Sequence, residues 1–203
     1  MKKILVALIL GFGLNQIAFA QETEKKGYQI GDIATDFNLK GVDGKMHSLA
    51  SLTGSKGYLV IFTCNHCPYS QAYEQRIIEL HKKYAAKGIQ VIAINPNDPN
   101  REPDDSYDNM VKRAKKYKYP FNYLVDETQT VAKAYGATRT PHVFLLDQNM
   151  QVVYMGAIDD NFEEPTQVKE TYLENALNQL LAGLKIEMPQ TKAIGCSIKW
   201  KKS

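Results

Sequence analysis

The hydrophobic positions of this chain change period along its length, and each change marks an element. Residues 58–62 (YLVIF) and 89–94 (IQVIAI) are nearly unbroken apolar runs, as expected of strands buried on both faces. Between them Tyr73, Ile77, Leu80 and Tyr84 recur at helical spacing. Pro68 before this set and Gly88 after it predict a helix that opens at the proline and stops at the glycine. Upstream, Phe37 and Leu39 alternate with polar residues before the turn sequence GVDG, and residues 46–49 return, which reads as a β-hairpin. Downstream, the Pro/Asn/Asp loop NPNDPNREPDD leads to a helix over about 106–117, a short strand at 123–125, and a one- or two-turn helix over 128–135 with a Thr or Asp cap. The stretch HVFLLDQNMQVVYMG predicts a second hairpin. A last helix over about 167–182 presents Tyr172, Leu173, Ala176, Leu177, Leu180 and Leu181 on one face. The order is β-α-β-α-β-α-β-β-α behind a leading hairpin. This is an α/β fold with a central mixed β-sheet flanked by helices and an N-terminal β-hairpin.

The first twenty residues follow a different rule. Lys2 and Lys3 precede an apolar stretch over 4–14, and the small-residue sequence AFA follows at 18–20. That is the order of a secretory signal cut before Gln21, and the apolar run is shorter than the ~20 residues a membrane span needs. The chain is therefore expected to be exported, most plainly to a periplasm, with no stable membrane anchor after cleavage. Residues 21–27 read as a flexible lead-in. Cleavage leaves 23 basic against 22 acidic side chains, a nearly neutral protein with no basic field for nucleic acid. The local run KRAKKYK at 112–118 reads as a solvated helix face.

Three cysteines are too few and the wrong parity for a disulfide-stapled scaffold, although export implies an oxidising compartment. Two of them form the motif FTCNHCPY, where Cys64 and Cys67 stand between a buried strand and a helix start. The free N–H groups and positive end of a helix stabilise a thiolate at such a place. Cys64, on the strand side, is expected to attack, and Cys67, further into the helix, to resolve. A protonated His66 would favour the thiolate and poise the disulfide towards reduction. A four-residue disulfide loop contributes little stability, so a purely structural bridge explains the pair poorly. Zinc needs four ligands, and the sequence offers no second half-site. A soft-metal site for Cu(I), built from Cys64, Cys67 and one His, is a separate reading.

These pieces resemble the thioredoxin superfamily, in its redoxin branch of alkyl hydroperoxide reductase and thiol-specific antioxidant proteins. The segments that carry the resemblance are GDIATDFNLKGVDGK, YLVIFTCNHCPYS, VIAIN and YLVDETQTVAKAYGATRTPHVFLLD. A narrower likeness is to a peroxiredoxin-like subgroup that pairs CNHCP with a tail GCSIKWK, here at 195–201. The resemblance implies a thioredoxin-like domain over 28–183, with residues 184–203 as a C-terminal tail packed on it. It also implies a cis Thr140–Pro141 bond facing the CxxC, with the Thr140 backbone where substrate sulfur docks. Thr63 stands where thioredoxins carry Trp. The peroxidatic pattern P-x-x-x-T/S-x-x-C is absent, since Leu59 stands four residues before Thr63, and Thr63 directly precedes Cys64.

The expected activity is thiol-disulfide exchange with protein or small-molecule thiols and disulfides, recharged by an unidentified redox partner, with no bound cofactor. Cys64 and Cys67 are the expected catalytic residues, supported by Thr63, His66, Thr140 and Pro141. His142 beside the proline either reaches the cysteines or points along its strand, and Glu127 and Lys56 are further candidates for proton relay. Cys196 either exchanges with Cys64 or a partner, or is a small buried hydrophobe. Its neighbours Gly195, Ile198 and Trp200 suit a tail packed back on the domain and favour the second. A thiol-dependent peroxidase and a copper-binding or delivery protein are the competing readings.

Overall fold

In the computed structural model, residues 27–202 are described; the expected signal at 1–20, and all but the last residue of the lead-in, lie outside the described residues. The first apolar run becomes β3 (Gly57–Phe62), every residue of which is buried, and the second becomes β4 (Ile89–Asn95). These two strands pair in parallel, and β5 (Asn122–Val125) continues the parallel set beyond β4. On the other side β7 (His142–Asp147) runs antiparallel to β3, and β8 (Val152–Gly156) returns beside it. The leading hairpin, β1 (Leu39–Gly41) and β2 (Met46–His47), does more than the sequence suggests. Its β1 pairs antiparallel with β5, so the hairpin is the sheet edge and the order is β2-β1-β5-β4-β3-β7-β8.

The two-residue period of β3 divides the core. Tyr58, Val60 and Phe62 face one layer with Tyr135 and Ala132, while Leu59 and Ile61 face the other with Tyr73, Ile77, Leu173 and Leu177. Each fully buried Val, Leu, Ile or Phe contributes ~1.5–3 kcal/mol, which fixes the strand that carries the cysteines at its end. The second face is covered by α1 (Pro68–Tyr84), α2 (Tyr107–Tyr117) and α4 (Tyr172–Leu181). Helix α1 opens with Pro68 in its first turn; a 3₁₀ turn, Ala85–Lys87, then leads to Gly88 in the left-handed conformation (φ 93°).

Two helices are shorter than their apolar patterns suggest. The segment expected over 128–135 is helical only at α3 (Thr130–Tyr135), because Gln129 is left-handed (φ 61°) and the Asp126 carboxylate accepts the Ala132 N–H from outside the helix at 2.8 Å. The last helix starts at Tyr172, since Pro165–Gln167 forms a separate 3₁₀ turn. The tail does pack back. Cys196–Ser197 forms β9, paired antiparallel with β6 (Arg139–Thr140), and Ile198 and Trp200 join the core layer of Phe62. Among the described residues no helix is long and apolar enough to cross a membrane.

Candidate active site

The site lies where β3 stops and α1 begins. Thr63 prolongs the strand, its N–H donating to the Ile94 carbonyl at 2.9 Å, and its side chain is buried. Cys67 is the N-cap residue of α1, so the positive end of the helix points at Cys67 more directly than at Cys64. The Thr140–Pro141 peptide is cis, the isomer the resemblance implied, and it faces the pair. Thr140 touches both sulfurs: its Oγ1 is 3.1 Å from Cys64 Sγ, and its carbonyl accepts from Cys67 Sγ at 3.2 Å. Ser70 Oγ and His66 Nδ1 stand 3.8 and 3.6 Å from Cys64 Sγ.

The two thiols form one titrating pair. The thiol of Cys64 is pushed far up, first by its hydrogen bond with Cys67, then by burial and by the Asp105 carboxylate; the Thr140 hydroxyl opposes this. The thiol of Cys67 is pulled well down, first by the hydrogen bond from Cys64, with the Cys196 thiol and the backbone of Ser70 and Cys196 adding to it. The reduced pair therefore holds its charge mainly at Cys67. Thr140 is also placed for the other proton arrangement, with its hydroxyl donating to a Cys64 thiolate while its carbonyl accepts the Cys67 S–H.

Beneath the motif lies a residue that the sequence did not single out. Asp105 is 2% exposed and belongs to the short 3₁₀ turn Pro103–Asp105. Its Oδ1 accepts the N–H groups of Asn65 (2.6 Å) and His66 (3.3 Å), and its Oδ2 faces His66 Nδ1 (2.6 Å) and Asn97 Nδ2 (2.7 Å). In the sequence the segment that carries Asp105 is a Pro/Asn/Asp loop, with no pattern that marks Asp105 for the site. Cys64, His66 and Asp105 bring a thiol, a ring nitrogen and a carboxylate oxygen within 4.8 Å of one another. This donor set could hold a cation only if Nδ1 gave up its bond to Asp105, and it differs from the Cys64, Cys67 and His set expected for Cu(I).

The central mixed sheet flanked by helices agrees with the comparisons. The AhpC/TSA family model matches residues 30–155. The chain belongs to the AhpC/TSA family. The thiol-disulfide oxidoreductase ResA of Bacillus thuringiensis (strain Al Hakam) is 31% identical over 155 residues, covering 74% of this chain and 83% of the relative. An uncharacterized conserved protein from Geobacillus kaustophilus superposes with a TM-score of 0.81 at 39% identity, covering 86% of this chain and 94% of that one. A hypothetical protein from Sinorhizobium meliloti does so with a TM-score of 0.80 at 35% identity, covering 87% and 97%.

In this AhpC/TSA chain the remaining candidates separate cleanly. The His142 ring packs on Phe144 with centroids 4.5 Å apart and lines a surface cleft with Gly136, Thr138 and Arg139. Burial lowers its pKa to about 4, and its buried Nδ1 has no hydrogen-bond partner. It is a neutral packing residue, and among the described residues no hydrogen bond joins its ring Nδ1 to a cysteine. The Lys56 stem lies beside Gly88, and Glu127 lines a cleft with Asp36 and Lys40, so neither joins the thiols. Cys196 does join them, because the β6–β9 pairing sets it opposite Thr140 with its Sγ 2.6 Å from Cys67 Sγ. The sequence-based preference for a plain packing role did not anticipate this contact.

Proposed function

We propose that this chain is an exported thiol-disulfide oxidoreductase whose working couple is Cys64 and Cys67. The observation that carries this reading is the coupled thiol pair at the helix N-terminus, with both sulfurs held by the residue before the cis-proline. Proton transfer within the pair gives a Cys64 thiolate, stabilised by the Thr140 hydroxyl. It attacks one sulfur of a client disulfide and expels the other as a thiolate. Cys67 then attacks Cys64 Sγ, closing the Cys64–Cys67 disulfide and releasing the client as a dithiol with two more electrons. Run in reverse, the same steps oxidise a client dithiol. Asp105 Oδ2 accepts a hydrogen bond from His66 Nδ1, which fixes the orientation of that ring beside Cys64.

The relatives' name, thiol-disulfide oxidoreductase, supports thiols and disulfides as clients, whether of proteins or of small molecules, and a further redox partner would recharge the couple. The leading segment, Lys2 and Lys3 followed by the apolar stretch, supports export to the periplasm, with residues 28–183 as the catalytic domain and 184–203 as its tail. Direct peroxide reduction is less well supported, since among the described residues the hydrogen-bond partners of the Cys64 and Cys67 thiols include no arginine. The test is the equilibrium reduction potential of the couple in glutathione and dithiothreitol buffers. A value near about −270 mV marks a reductant, and one at roughly −120 to −180 mV marks an oxidant or isomerase. Absence of any reversible couple would reject the reading.

A further inference from the structure

The C-terminal strap occupies the edge where an external substrate would be expected to lie. β9 hydrogen-bonds to Arg139–Thr140, the segment just before the cis-proline, and so takes the backbone edge that the resemblance assigns to substrate. The seat is built for this strap. A Cβ on Gly195 would fall 2.2 Å from the Thr140 carbonyl oxygen, so only glycine lets the tail approach this closely. Further along, the Asp98 N–H donates to the Lys199 carbonyl at 2.9 Å, and the Lys199 N–H donates to Asn97 Oδ1 at 2.8 Å. Gln129 bonds both the Lys199 carbonyl (2.9 Å) and the Lys201 N–H (2.7 Å). Asn97 also holds Asp105, so one loop braces the tail and the floor of the CxxC together.

The product of this bracing is a third thiol in contact with the redox pair. Cys196 Sγ lies 2.6 Å from Cys67 Sγ, inside the contact distance of two non-bonded sulfurs and beyond the ~2.05 Å of a covalent bond. The three thiols also differ in access. Cys64 is 4% exposed and Cys67 0%, whereas Cys196 is partly exposed. The pair that would do the chemistry is enclosed, and the least buried of the three cysteines is the one on the strap.

We propose that Cys196 is a third redox residue, which exchanges with the Cys64–Cys67 disulfide and carries the oxidised bond to the accessible tail as Cys67–Cys196. The inference rests on the dithiol/disulfide reading of Cys64 and Cys67. In the exchange, Cys196 loses its proton and attacks Cys67 Sγ. The Cys196–Cys67 bond forms, the Cys67–Cys64 bond breaks, and Cys64 leaves as a thiolate that takes up the proton. No electrons are gained or lost, so the step is an isomerisation and needs no co-reactant. A client dithiol then attacks Cys196 from solvent and expels Cys67 as a thiolate. The client's second thiol releases Cys196, leaving the client as a disulfide and the enzyme thiols reduced. The reverse sequence carries electrons from Cys67 out to a client disulfide.

The test uses the full mature chain, residues 21–203, as Cys64→Ser and Cys196→Ser variants. Each is equilibrated in glutathione buffers of graded potential, quenched in acid and mapped by thiol alkylation and peptide mass. The expected result is that monomeric Cys64→Ser falls from two free thiols to none, with the bridge at Cys67–Cys196, while Cys196→Ser keeps the Cys64–Cys67 couple. If Cys64→Ser keeps two free thiols or yields only glutathione adducts while Cys196→Ser still cycles, the third redox residue is refuted and the oxidoreductase reading stands. If Cys196→Ser has no couple, both fall, because there is no disulfide to exchange. Wild-type protein, partly oxidised and quenched, guards against a misfolded variant. Two coexisting linkages support the exchange, and Cys64–Cys67 alone overturns it.

Discussion

Asp105→Asn tests whether the buried loop carboxylate sets the working potential of the couple. Asp105 stands with Cys64 and His66 in a cluster whose ligand atoms lie within 4.8 Å of one another, and its negative charge is among the causes that push the Cys64 thiol up. Two unit charges 4.8 Å apart interact by ~3.5 kcal/mol at the effective dielectric constant of ~20 that suits protein sites. For a two-electron couple, 30 mV corresponds to ~1.4 kcal/mol, so a separation of 4.8 Å corresponds to about 75 mV if Cys64 carried the whole reduced-state charge. The reduced pair holds its charge mainly at Cys67, and Asn keeps an amide dipole in place, so the expected change is smaller, ~25–40 mV. The sign follows from which state gains. Removing the carboxylate stabilises a thiolate that exists only in the reduced protein, so the potential rises and the enzyme becomes more oxidising. The assay is the glutathione titration, with urea unfolding alongside to show that the variant is folded after losing ~1–3 kcal/mol from its altered hydrogen bonds to His66 and Asn97. A folded variant whose potential is unchanged or lower would refute the electrostatic role of Asp105.

Two further outcomes follow from the packing around the site. Gly195→Ala places a methyl 2.2 Å from the Thr140 carbonyl oxygen, so the strap should lift. The single tryptophan, Trp200, should then shift its emission to the red and Cys196 should alkylate faster, whereas an unchanged spectrum and rate would show that the strap tolerates the methyl. His142 is held neutral, with a folded pKa of about 4 against ~6.5 for a free imidazole, so the unfolded chain binds the extra proton and stability falls as pH drops from ~6.5 to about 4. The loss should approach ~2 kcal/mol after discounting the full shift for partial exposure. Urea midpoints across that window should show it, and His142→Phe should remove it.

The parts of this fold that were legible in the sequence are those in which one side-chain pattern decides one element. The five apolar residues 58–62 permit only a buried strand, and Pro68 and Gly88 mark the start and stop of the helix that follows. The Cys64–Cys67 pair inherits its chemistry from that junction, so its place was readable too. What the pattern does not encode is which loop lies under the junction. Asp105 sits in a segment as polar as any exposed turn, and it is buried only because three N–H donors from the CNHC turn and the Asn97 amide close over it. Local polarity argues for solvent there, and a distant partner set reverses it. The same reason hid β6 and β9: Thr140 pairs with Cys196 and Arg139 with Ser197, two residues against two distant ones, with no alternation long enough to register.

These two unread features are one device. The loop that supplies Asp105 to His66 also supplies Asn97 and Asp98 to the tail, so the reach from the Cys64 side of the site to the Cys196 side is spanned by hydrogen bonds from a single segment. Loosening the loop at Asp105 should therefore free the tail as well as shift the couple. In Asp105→Asn the Asn97 amide loses its acceptor at 2.7 Å, and Lys199 keeps its bond only if Asn97 stays in place. Cys196 alkylation in that variant separates the two cases. A rate equal to wild type means that Asp98, Gln129 and the β6–β9 pairing hold the strap without Asn97. A faster rate means that the floor of the active site and the seat of the third thiol are a single energetic unit, and the redox shift of Asp105→Asn must then be measured again in Cys196→Ser to isolate its electrostatic part.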